Sequence, residues 1–473
     1  MRTTEKVLKR GAPMCFLSLL ILFSSCGPRG GQEETVLRAE FLKNLKVRTF
    51  KFFWDRIDPN TYQTDDRYPT RHFTSIAATG FGLAAYLVGV ENGYVPRDQA
   101  AGRVYQTLDW LWVSGQGPDV EGQSGYRGFY YHFLNYESGT RFKTVELSTI
   151  DTGLLMAGIL ACQSYFDRND PVEAGIRSLA DSLFLRVEWD WAMNSRGLMS
   201  MGWHPESGFI DSEWSGYNEA MILLIMALGS PTHPIPDSSW SAWCRKYHWE
   251  EFHGYEHVNF SPLFGHQYSH MFIDFRGLWD DYMAVAGIDY FENSRRATLS
   301  NQAYCKANPG NFRDYSGTIW GLTACDGPAN EVHEVNGREI RFRTYSARGA
   351  SNLYVFDDGT IAPAAAGGSI PFAPDECLEA LWQMKKRYGD RLYQEYGFKD
   401  AFNPTYPAGP DQEPGWFDVD YLGIDQGPIL IQLENHETGL IWETVKRNRY
   451  IVTGLQKAGF RGGWLDEKGE KIE

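Results

Sequence analysis

Five carboxylates in this sequence have the types and positions that acid–base chemistry requires. Asp151, Glu219 and Asp425 each stand at the start of an apolar run, and Glu146 and Glu213 lie a few residues before two of them. A pair of carboxyl groups can hydrolyse a glycosidic bond, because one protonates the leaving oxygen while the other activates water or attacks the sugar. The five residues are therefore candidate catalytic groups of a glycoside hydrolase. Helix capping is the open alternative for each, since acidic residues at helix N-termini are favoured by about 0.3–1 kcal/mol.

The surroundings of these carboxylates predict different roles for them. A general acid needs a raised pKa, which an apolar pocket provides. Glu213 stands next to Trp214 and is predicted to be the acid. Asp425 at a helix start is expected to stay ionised and to serve as the base. The helix dipole is expected to lower the pKa of Glu219, so that Glu219, with Asp151 and Glu146, is predicted to shape the site.

Aromatic side chains in Gly-rich connections are typical of sugar-binding sites, because a Trp ring stacks on the apolar face of a pyranose. His270 is interpreted as a sugar contact or a capping residue, since no third ligand lies near His266 and His270 for a metal. No metal or cofactor is predicted. The predicted substrate-binding residues are Tyr130, Trp203, Trp214, Tyr217, His270, Trp320 and Trp416.

The composition limits the class of protein that carries these residues. The chain has 473 residues, a formal net charge of -15 at pH 7, and 43% hydrophobic and 15% aromatic residues. The acidic charge argues against nucleic-acid binding, which needs clustered Lys and Arg. The apolar content excludes a disordered chain. A mean hydropathy of -0.40 with one long apolar run excludes a multi-span membrane protein.

The elements that must position the site are predicted to be helices. Runs that are apolar on all sides, such as 154–162 and 220–228, alternate with amphipathic runs such as 172–187. The same alternation predicts helices over 216–228, 267–286 and 437–455. A helix apolar on all sides must be buried, whereas an amphipathic one lies outside. About a dozen helices in this alternation predict an all-α fold, an (α/α)6 toroid or barrel. An α-solenoid is the alternative. Alternating residues at 339–343 predict a small β excursion near 330–360.

The N-terminus has the pattern of a bacterial lipoprotein signal. Four basic residues precede an apolar stretch over 12–23, and small residues precede Cys26. We expect residues 1–25 to be the signal peptide, Cys26 to be the lipidated first residue, 26–35 to be a tether and 36–473 to be one domain. An ordinary secretory signal is the alternative. Either reading predicts export, and lipidation predicts an anchor in the envelope of a Gram-negative cell, at the outer membrane or in the periplasm.

Several longer motifs resemble a known family: Thr-Ser-Ile-Ala-Ala-Thr-Gly-Phe-Gly-Leu (74–83), Ser-Thr-Ile-Asp-Thr-Gly-Leu-Leu (148–155), Tyr-Asn-Glu-Ala-Met (217–221), Ala-Leu-Gly-Ser-Pro-Thr-His-Pro (227–234) and Gly-Ile-Asp-Gln-Gly-Pro (423–428). They resemble the glucoamylase-like family of Bacteroidetes lipoproteins, which is similar to glycoside hydrolase family 144. The resemblance covers nearly the whole chain after the signal. It implies an (α/α)6 barrel, inverting endo-β-1,2-glucanase activity, and catalytic carboxylates among Asp151, Glu219 and Asp425, with Glu146 and Glu213 adjacent.

Three functions remain open at the level of sequence. The first is an exported β-glucan hydrolase, with an endo-β-1,2-glucanase favoured and a glucan oligosaccharide or polysaccharide as its partner. The second is a glucoamylase-like enzyme that cleaves α-glucan on the same fold. The third is a surface lipoprotein that binds glycan without cleaving it. The density of carboxylates near Trp favours an enzyme, since a binding protein has no use for an acid held protonated. We expect a monomer.

Overall fold

The computed structural model describes residues 29–71, 73–407 and 414–472, with side chains from Glu34 onward. The chain divides into two units, Met1–Phe41 and Leu42–Glu473, and all the candidate carboxylates belong to the second. The predicted signal peptide and Cys26 lie outside the described residues. Helix begins at Arg29, inside the segment predicted to be a tether.

Helices dominate the described chain and fall close to the predicted runs. The fifteen α-helices of these residues are α1 (Arg29–Asp55), α2 (Ile76–Glu91), α3 (Arg97–Val113), α4 (Thr149–Tyr165), α5 (Pro171–Arg186), α6 (Met221–Gly229), α7 (Ser238–Cys244), α8 (Tyr268–Phe272), α9 (Asp281–Ala286), α10 (Tyr290–Ala307), α11 (Pro363–Gly367), α12 (Pro374–Tyr388), α13 (Gly423–Glu437), α14 (Leu440–Val445) and α15 (Arg449–Lys457). Three single 3-10 turns lie at Trp189–Ala192, Leu263–His266 and Gly389–Arg391.

Short strands link the helices. They are β1 (Arg67–Tyr68), β2 (Phe73–Ser75), β3 (Gly125–Tyr126), β4 (Phe129–Tyr131), β5 (Phe133–Asn135), β6 (Leu147–Ser148), β7 (Gly202–His204), β8 (Gly208–Phe209), β9 (Trp249–Phe252), β10 (Tyr255–Val258), β11 (Ala324–Cys325), β12 (Val332–Val335), β13 (Arg338–Arg341), β14 (Ser346–Ala347), β15 (Gly349–Ala350), β16 (Val355–Phe356), β17 (Tyr393–Gln394), β18 (Gly397–Phe398), β19 (Phe402–Asn403), β20 (Trp416–Phe417) and β21 (Tyr421–Leu422). One sheet has five strands, in the order β3-β4-β6-β7-β8, and the others are two-stranded pairs.

The helices predicted to be apolar on all sides form the core of the second unit. Nearly every residue of α2, α4 and α6 is buried, and α2 packs against both α4 and α13. Glycines permit this close approach. A Cβ at Gly80 would lie 2.4 Å from the Leu154 carbonyl oxygen, and one at Gly158 would lie 2.1 Å from the Gly80 carbonyl oxygen. The small-residue pattern of this segment therefore serves backbone contact between α2 and α4.

Amphipathic helices cover these buried ones. Helix α3 packs on α5, α5 on α4, α15 on α6, and α12 on α11. The second unit is thus a helix-rich, α/α-barrel-like arrangement, in which buried helices are covered by amphipathic ones. Within the described residues, no helix combines the length and the apolar character needed to cross a membrane.

The structure corrects three helix boundaries and extends the β content. The predicted helix over 267–286 breaks into α8 and α9: α8 ends before an extended Ile273, and Gly277 in the link has a φ of +70°. The predicted helix over 437–455 breaks into α14 and α15, where Asn448 caps the second. The helix predicted from 216 begins only at Met221. The β excursion near 330–360 is confirmed by β12 to β16, but short strands also occur far outside it.

Candidate active site

Strand-to-helix junctions place two of the predicted carboxylates, and a third stands just before another helix. Strand β6 runs directly into α4, where Ser148 is the N-cap and Asp151 lies in the first turn. Strand β21 runs directly into α13, with Asp425 in its first turn. Glu219 stands two residues before the first residue of α6. Since α4 contacts α6 and α2, and α2 contacts α13, these helix starts belong to neighbouring elements.

Helix α8 connects two of these junctions. The Ser269 hydroxyl donates to the Glu219 carbonyl oxygen at 3.2 Å, and the Tyr268 hydroxyl donates to the Ile424 carbonyl oxygen, beside Asp425, at 3.4 Å. Burial, followed by the charges of Asp425, Glu219 and Asp151, raises the pKa of Tyr268 well above its ordinary value. Glu219 and Asp425 therefore flank the same tyrosine.

Glu219 has the environment of a general acid, contrary to the prediction. Its Oε2 is buried and has no hydrogen-bond partner among the described residues, although the side chain keeps partial exposure. Burial raises the pKa of Glu219 to about 7, and the charge of Asp151 adds to this, against a backbone hydrogen bond that lowers it. The expected helix-dipole effect is small beside desolvation, which shifts buried carboxyls by several pKa units. The expectation that its pKa would be lowered is wrong.

Asp425 pairs with a carboxyl group that the sequence did not single out, that of Asp400. Each carboxyl group acts on the pKa of the other, and each keeps one buried oxygen, Asp400 Oδ1 and Asp425 Oδ2, that accepts no hydrogen bond from an N–H or hydroxyl group of the described residues. Burial raises the pKa of Asp425 to about 7, and Asp400 opposes this rise, whereas burial and Asp425 raise the pKa of Asp400 well above its ordinary range. These directions favour Asp400 as the carboxyl that keeps the proton of the pair. The helix start alone does not keep the Asp425 pKa low, because burial outweighs the dipole. That Asp425 stays ionised and acts as the base remains a prediction.

His132 joins two further candidate carboxylates and was also missed by the sequence reasoning. Its Nδ1 lies 2.7 Å from Glu146 Oε1, and its Nε2 lies 3.5 Å from Asp151 Oδ1. Burial alone would lower the pKa of His132, but Asp151 and Glu146 raise it to about 9. The imidazolium thus bridges two carboxylates at neutral pH. Asp151 also accepts a hydrogen bond from the Ser148 hydroxyl. A lone histidine between β4 and β5 gives no sequence signal for this contact.

A cluster of carboxylates surrounds Arg67, next to α13. Arg67 Nε lies 3.0 Å from Asp66 Oδ2, and its Nη1 lies 2.7 Å from Asp326 Oδ2 and 3.6 Å from Asp420 Oδ2. Oxygens of Asp326, Asp418 and Asp420 lie within 4.8 Å of one another, a spacing that suits a cation. The guanidinium group of Arg67 already supplies positive charge there, and we assign no metal to the cluster.

Glu213 lies in a different environment from the one predicted. Arg196 Nη2 is 2.5 Å from Glu213 Oε2, Lys246 Nζ is 3.6 Å from Oε1, and Asn194 donates to Oε2 at 2.7 Å. The Trp214 ring is buried, and its indole Nε1 donates to Thr149 at 2.9 Å. Cations stabilise the ionised carboxylate. The premise that assigned the acid to Glu213, an apolar pocket without a cation, is therefore wrong.

Most of the predicted aromatic contacts are packed inside the protein. Tyr130 and Trp320 have no exposed surface, and the Tyr130 hydroxyl bonds to the Leu111 carbonyl oxygen at 2.8 Å. Trp214 and Tyr217 are buried, and Tyr217 stacks on Tyr290 with centroids 6.0 Å apart. For Tyr130 and Trp320 the structure contradicts direct sugar contact, because neither ring has exposed surface. Trp214 and Tyr217 keep exposures of 6% and 4%, close to that of Asp425, and their sugar contacts stay predictions.

His270 is buried as well, and this contradicts the prediction that it contacts sugar. Its Nε2 shares a hydrogen bond with the Ser294 hydroxyl at 3.1 Å, and burial lowers the pKa of His270 to about 3. A neutral imidazole enclosed in this way acts in packing. Trp203 and Trp416 stay half-buried, so that their roles as substrate contacts remain predictions.

Two tyrosines of the β excursion offer exposed rings near the carboxylates. Tyr345 is 49% exposed and Tyr354 is 44% exposed. Burial around its hydroxyl and then the charge of Asp425 raise the pKa of Tyr345, and burial together with Glu219 raises that of Tyr354. Each ring thus lies near one of the two carboxylates with raised pKa values. The alternating pattern predicted the β excursion but not its position beside the site.

A large cavity lined by described residues lies elsewhere. It measures about 850 Å³ and is lined by residues near the C-terminal ends of α2, α4 and α13, among them Glu91, Tyr165 and Glu434. None of the five candidate carboxylates lines it. Charged groups of both signs cover its wall. Because a catalytic pair needs carboxyls with raised pKa values, the helix starts remain the candidate active site.

Comparison with known proteins gives the family. A family model described as "Putative glucoamylase" matches residues 211–449, slightly more than half of the chain. A crystal structure of a putative glucoamylase from Bacteroides uniformis ATCC 8492 has a TM-score of 0.78 and 33% sequence identity, covering 91% of this chain and 99% of that chain. The chain belongs to this family. The matched segment contains Glu213, Glu219 and Asp425, whereas Glu146 and Asp151 precede it.

Two further relatives have described activities. An endo-β-1,2-glucanase from Chitinophaga pinensis, in complex with sophorotriose and glucose, is 27% identical with a TM-score of 0.76, and the match covers 90% of this chain and 98% of that chain. An exo β-1,2-glucooligosaccharide sophorohydrolase (non-reducing end) from Parabacteroides distasonis is 27% identical over 456 residues. The match covers 88% of this chain but only 57% of that protein, so the chain spans little more than half of this relative.

Proposed function

We propose that the protein is a glycoside hydrolase that cleaves β-1,2-linked glucan. The observation that carries the proposal is the pair of buried carboxyl groups, Glu219 and Asp425, on either side of α8. Both have pKa values raised to about 7. Carboxyls with pKa values near the working pH are what general acid–base catalysis requires. The relatives with described activities act on β-1,2-glucan or its oligosaccharides, as their names state.

Glu219 acts as the general acid and Asp425 as the general base in this proposal. Glu219 can hold a proton near neutral pH because burial disfavours its charged form. Asp425 is ionised by the hydrogen bond from Asp400, which keeps the proton of the pair. His132 holds Glu146 and Asp151 in place beside them. The reaction is proposed to invert the anomeric configuration, with the water activated by Asp425 attacking opposite the leaving oxygen.

Endo action is proposed in preference to exo action. The chain covers 98% of the endo-acting relative from Chitinophaga pinensis but 57% of the exo-acting relative from Parabacteroides distasonis. The half-exposed Tyr345 and Tyr354 are proposed to stack on glucosyl units that pass over the carboxylates.

The test is chromatography of digests of linear β-1,2-glucan and of starch at pH 7. Endo-β-1,2-glucanase activity predicts an early mixture of β-1,2-oligosaccharides of several lengths. Sophorose as the sole early product would replace endo by exo action, and glucose from starch would contradict the linkage. Asp425→Asn serves as the inactive control. Inversion predicts that the first product seen by ¹H NMR is the α-anomer.

The order in which the buried helices contact one another supports a closed ring. The helices α13, α2, α4, α6 and α8 contact one another in that order, and Gln267 at the start of α8 donates to the Ala365 carbonyl oxygen of α11, which packs on α13. We propose that these six helices close as the inner ring of an (α/α)6 toroid.

We also propose that the protein is exported and anchored through a lipid on Cys26.

A further inference from the structure

Asp400 is a buried carboxyl group that acts on the pKa of Asp425 and that the sequence did not single out. Both residues are buried, with exposures of 1% for Asp400 and 5% for Asp425. Asp400 Oδ1 and Asp425 Oδ2 accept no hydrogen bond from an N–H or hydroxyl group of the described chain. Two buried carboxyl groups that act on each other disfavour a second ionised form, so the pair is expected to share a proton.

Hydrogen bonds around the pair hold the segments of Asp400 and Asp425 next to each other. The Asp326 N–H donates to Asp400 Oδ2 at 2.7 Å, and the Asp400 N–H donates to the Asp420 carbonyl oxygen at 3.0 Å. Asp400 lies in the short link between β18 and β19. On the other side, the Gln426 side chain donates to the Phe398 carbonyl oxygen at 2.8 Å, which ties the start of α13 to β18. Asp400 and Asp425 are thus held together by main-chain contacts on both sides.

We propose that Asp400 is a positioning residue, whose protonated carboxyl donates a hydrogen bond to Asp425 and holds that carboxylate ionised and oriented as the base. The inference rests on the proposed function, in which Asp425 is the general base. Asp400 does not touch the sugar or the water. It acts through Asp425, by placing one of its oxygens and leaving the other free to accept the proton of the attacking water.

Other groups around Asp425 do not supply this bond. The charges that act on it come from Asp326 and Asp418, which disfavour its ionised form, and from Arg67, which favours it. The hydroxyls of Tyr268 and Tyr345 also lie in its field. Arg67 is engaged by Asp66, Asp326 and Asp420. Asp400 is therefore the group that supplies a donor to Asp425 directly.

The test compares Asp400→Asn with Asp400→Ala in the full chain. Asn keeps an N–H donor toward Asp425 and an oxygen for the Asp326 N–H, whereas Ala removes both. A hydrogen bond to a charged group is worth about one to two pH units in the pKa of its acceptor. We expect the acid limb of kcat/KM on linear β-1,2-glucan to move up by about one to two pH units in Asp400→Ala and to stay near the wild-type position in Asp400→Asn.

Asp400→Leu, which keeps the branched shape of the side chain but no polar atom, takes the place of Asp400→Ala if that variant does not fold. A purely structural role predicts lower activity and a lower melting temperature without any movement of the acid limb, and that result would overturn the proposal. An equal shift in Asp400→Asn and Asp400→Ala would overturn it as well. Asp425→Asn separates the two proposals: if it keeps full turnover, Asp425 is not the base, and the proposed function fails rather than the hydrogen bond.

The bond is measurable without turnover. In protein labelled with ¹³C at Asp Cγ, the Asp425 resonance is identified by its loss in Asp425→Asn. We expect its titration to move to higher pH in Asp400→Ala and to remain in place in Asp400→Asn. An unchanged titration in Asp400→Ala would show that Asp400 does not hold Asp425 ionised.

Discussion

Replacing Glu219 with Gln gives the sharpest test of which carboxylate donates the proton. The pKa of Glu219 is raised from 4.5 to about 7 by burial. At pH 7 about half of a group with that pKa is protonated, against roughly 0.3% at the ordinary value, a gain of ~150-fold in the competent form. Glu219→Gln is therefore expected to lower turnover of β-1,2-glucan by about 10²–10⁴-fold, the usual cost of losing a general acid.

The matched control is Glu213→Gln, since Glu213 lies six residues away and is ion-paired with Arg196 and Lys246. We expect that variant to keep turnover within a few-fold of wild type. The assay is the release of reducing ends from linear β-1,2-glucan between pH 5 and pH 9. Wild-type kcat/KM should fall on the basic side near pH 7, as Glu219 loses its proton. If Glu213→Gln loses turnover and Glu219→Gln keeps it, the reasoning from desolvation is refuted.

Three further outcomes follow. The pKa of Glu219 is raised in the folded state, so its charge destabilises the fold as pH rises through 7. Glu219→Gln should therefore raise the melting temperature at pH 8 and leave it unchanged at pH 4. Equal shifts at both pH values would contradict the burial argument. The pKa of His132 is raised to about 9, so its charge stabilises the fold fully below the unfolded pKa near 6.5, and this is lost as pH rises through 9. His132→Gln should therefore lower the melting temperature at pH 6 more than at pH 10. A loss of stability that is independent of pH would indicate packing alone. Cys26→Ala should release the protein from the membrane fraction, and unchanged membrane association would refute lipidation.

The helix pattern was predictable because the apolar composition of each run indicates whether its helix is buried. The segments 154–162 and 220–228 are apolar on all sides, and both lie in buried helices, α4 and α6. Breaks inside longer runs were less visible. Helix α8 ends before an extended Ile273, with Gly277 turning in the link to α9, and Asn448 is the cap at which α15 begins. Single residues in an apolar context do not reveal these features.

The positions of the candidate carboxylates were predictable, but their electrostatics were not. Asp151, Glu219 and Asp425 precede apolar runs, and all three lie at the starts of buried helices. Their pKa values depend on partners far away in sequence, such as Asp400 for Asp425 and His132 for Asp151. A helix dipole can be read from one segment, whereas desolvation and long-range pairs need the fold.

Aromatic residues were the least predictable part of the site. Trp320 stands in a Gly-rich connection, which is typical of an exposed loop, yet it has no exposed surface. Tyr345 and Tyr354 look unremarkable in sequence, but they lie near Asp425 and Glu219 because the β excursion is adjacent to the helix starts. Local composition does not distinguish a ring that faces a ligand from one that faces another loop.

The central claim is that Glu219 and Asp425 together hydrolyse β-1,2-glucan. The most direct measurement is the release of reducing ends from linear β-1,2-glucan at pH 7 by wild type and by Asp425→Asn, with glucan binding followed in parallel by calorimetry. We predict release of β-1,2-oligosaccharides by wild type, and binding without release by Asp425→Asn. No release by a wild-type protein that binds the glucan, or full release by Asp425→Asn, would contradict the claim.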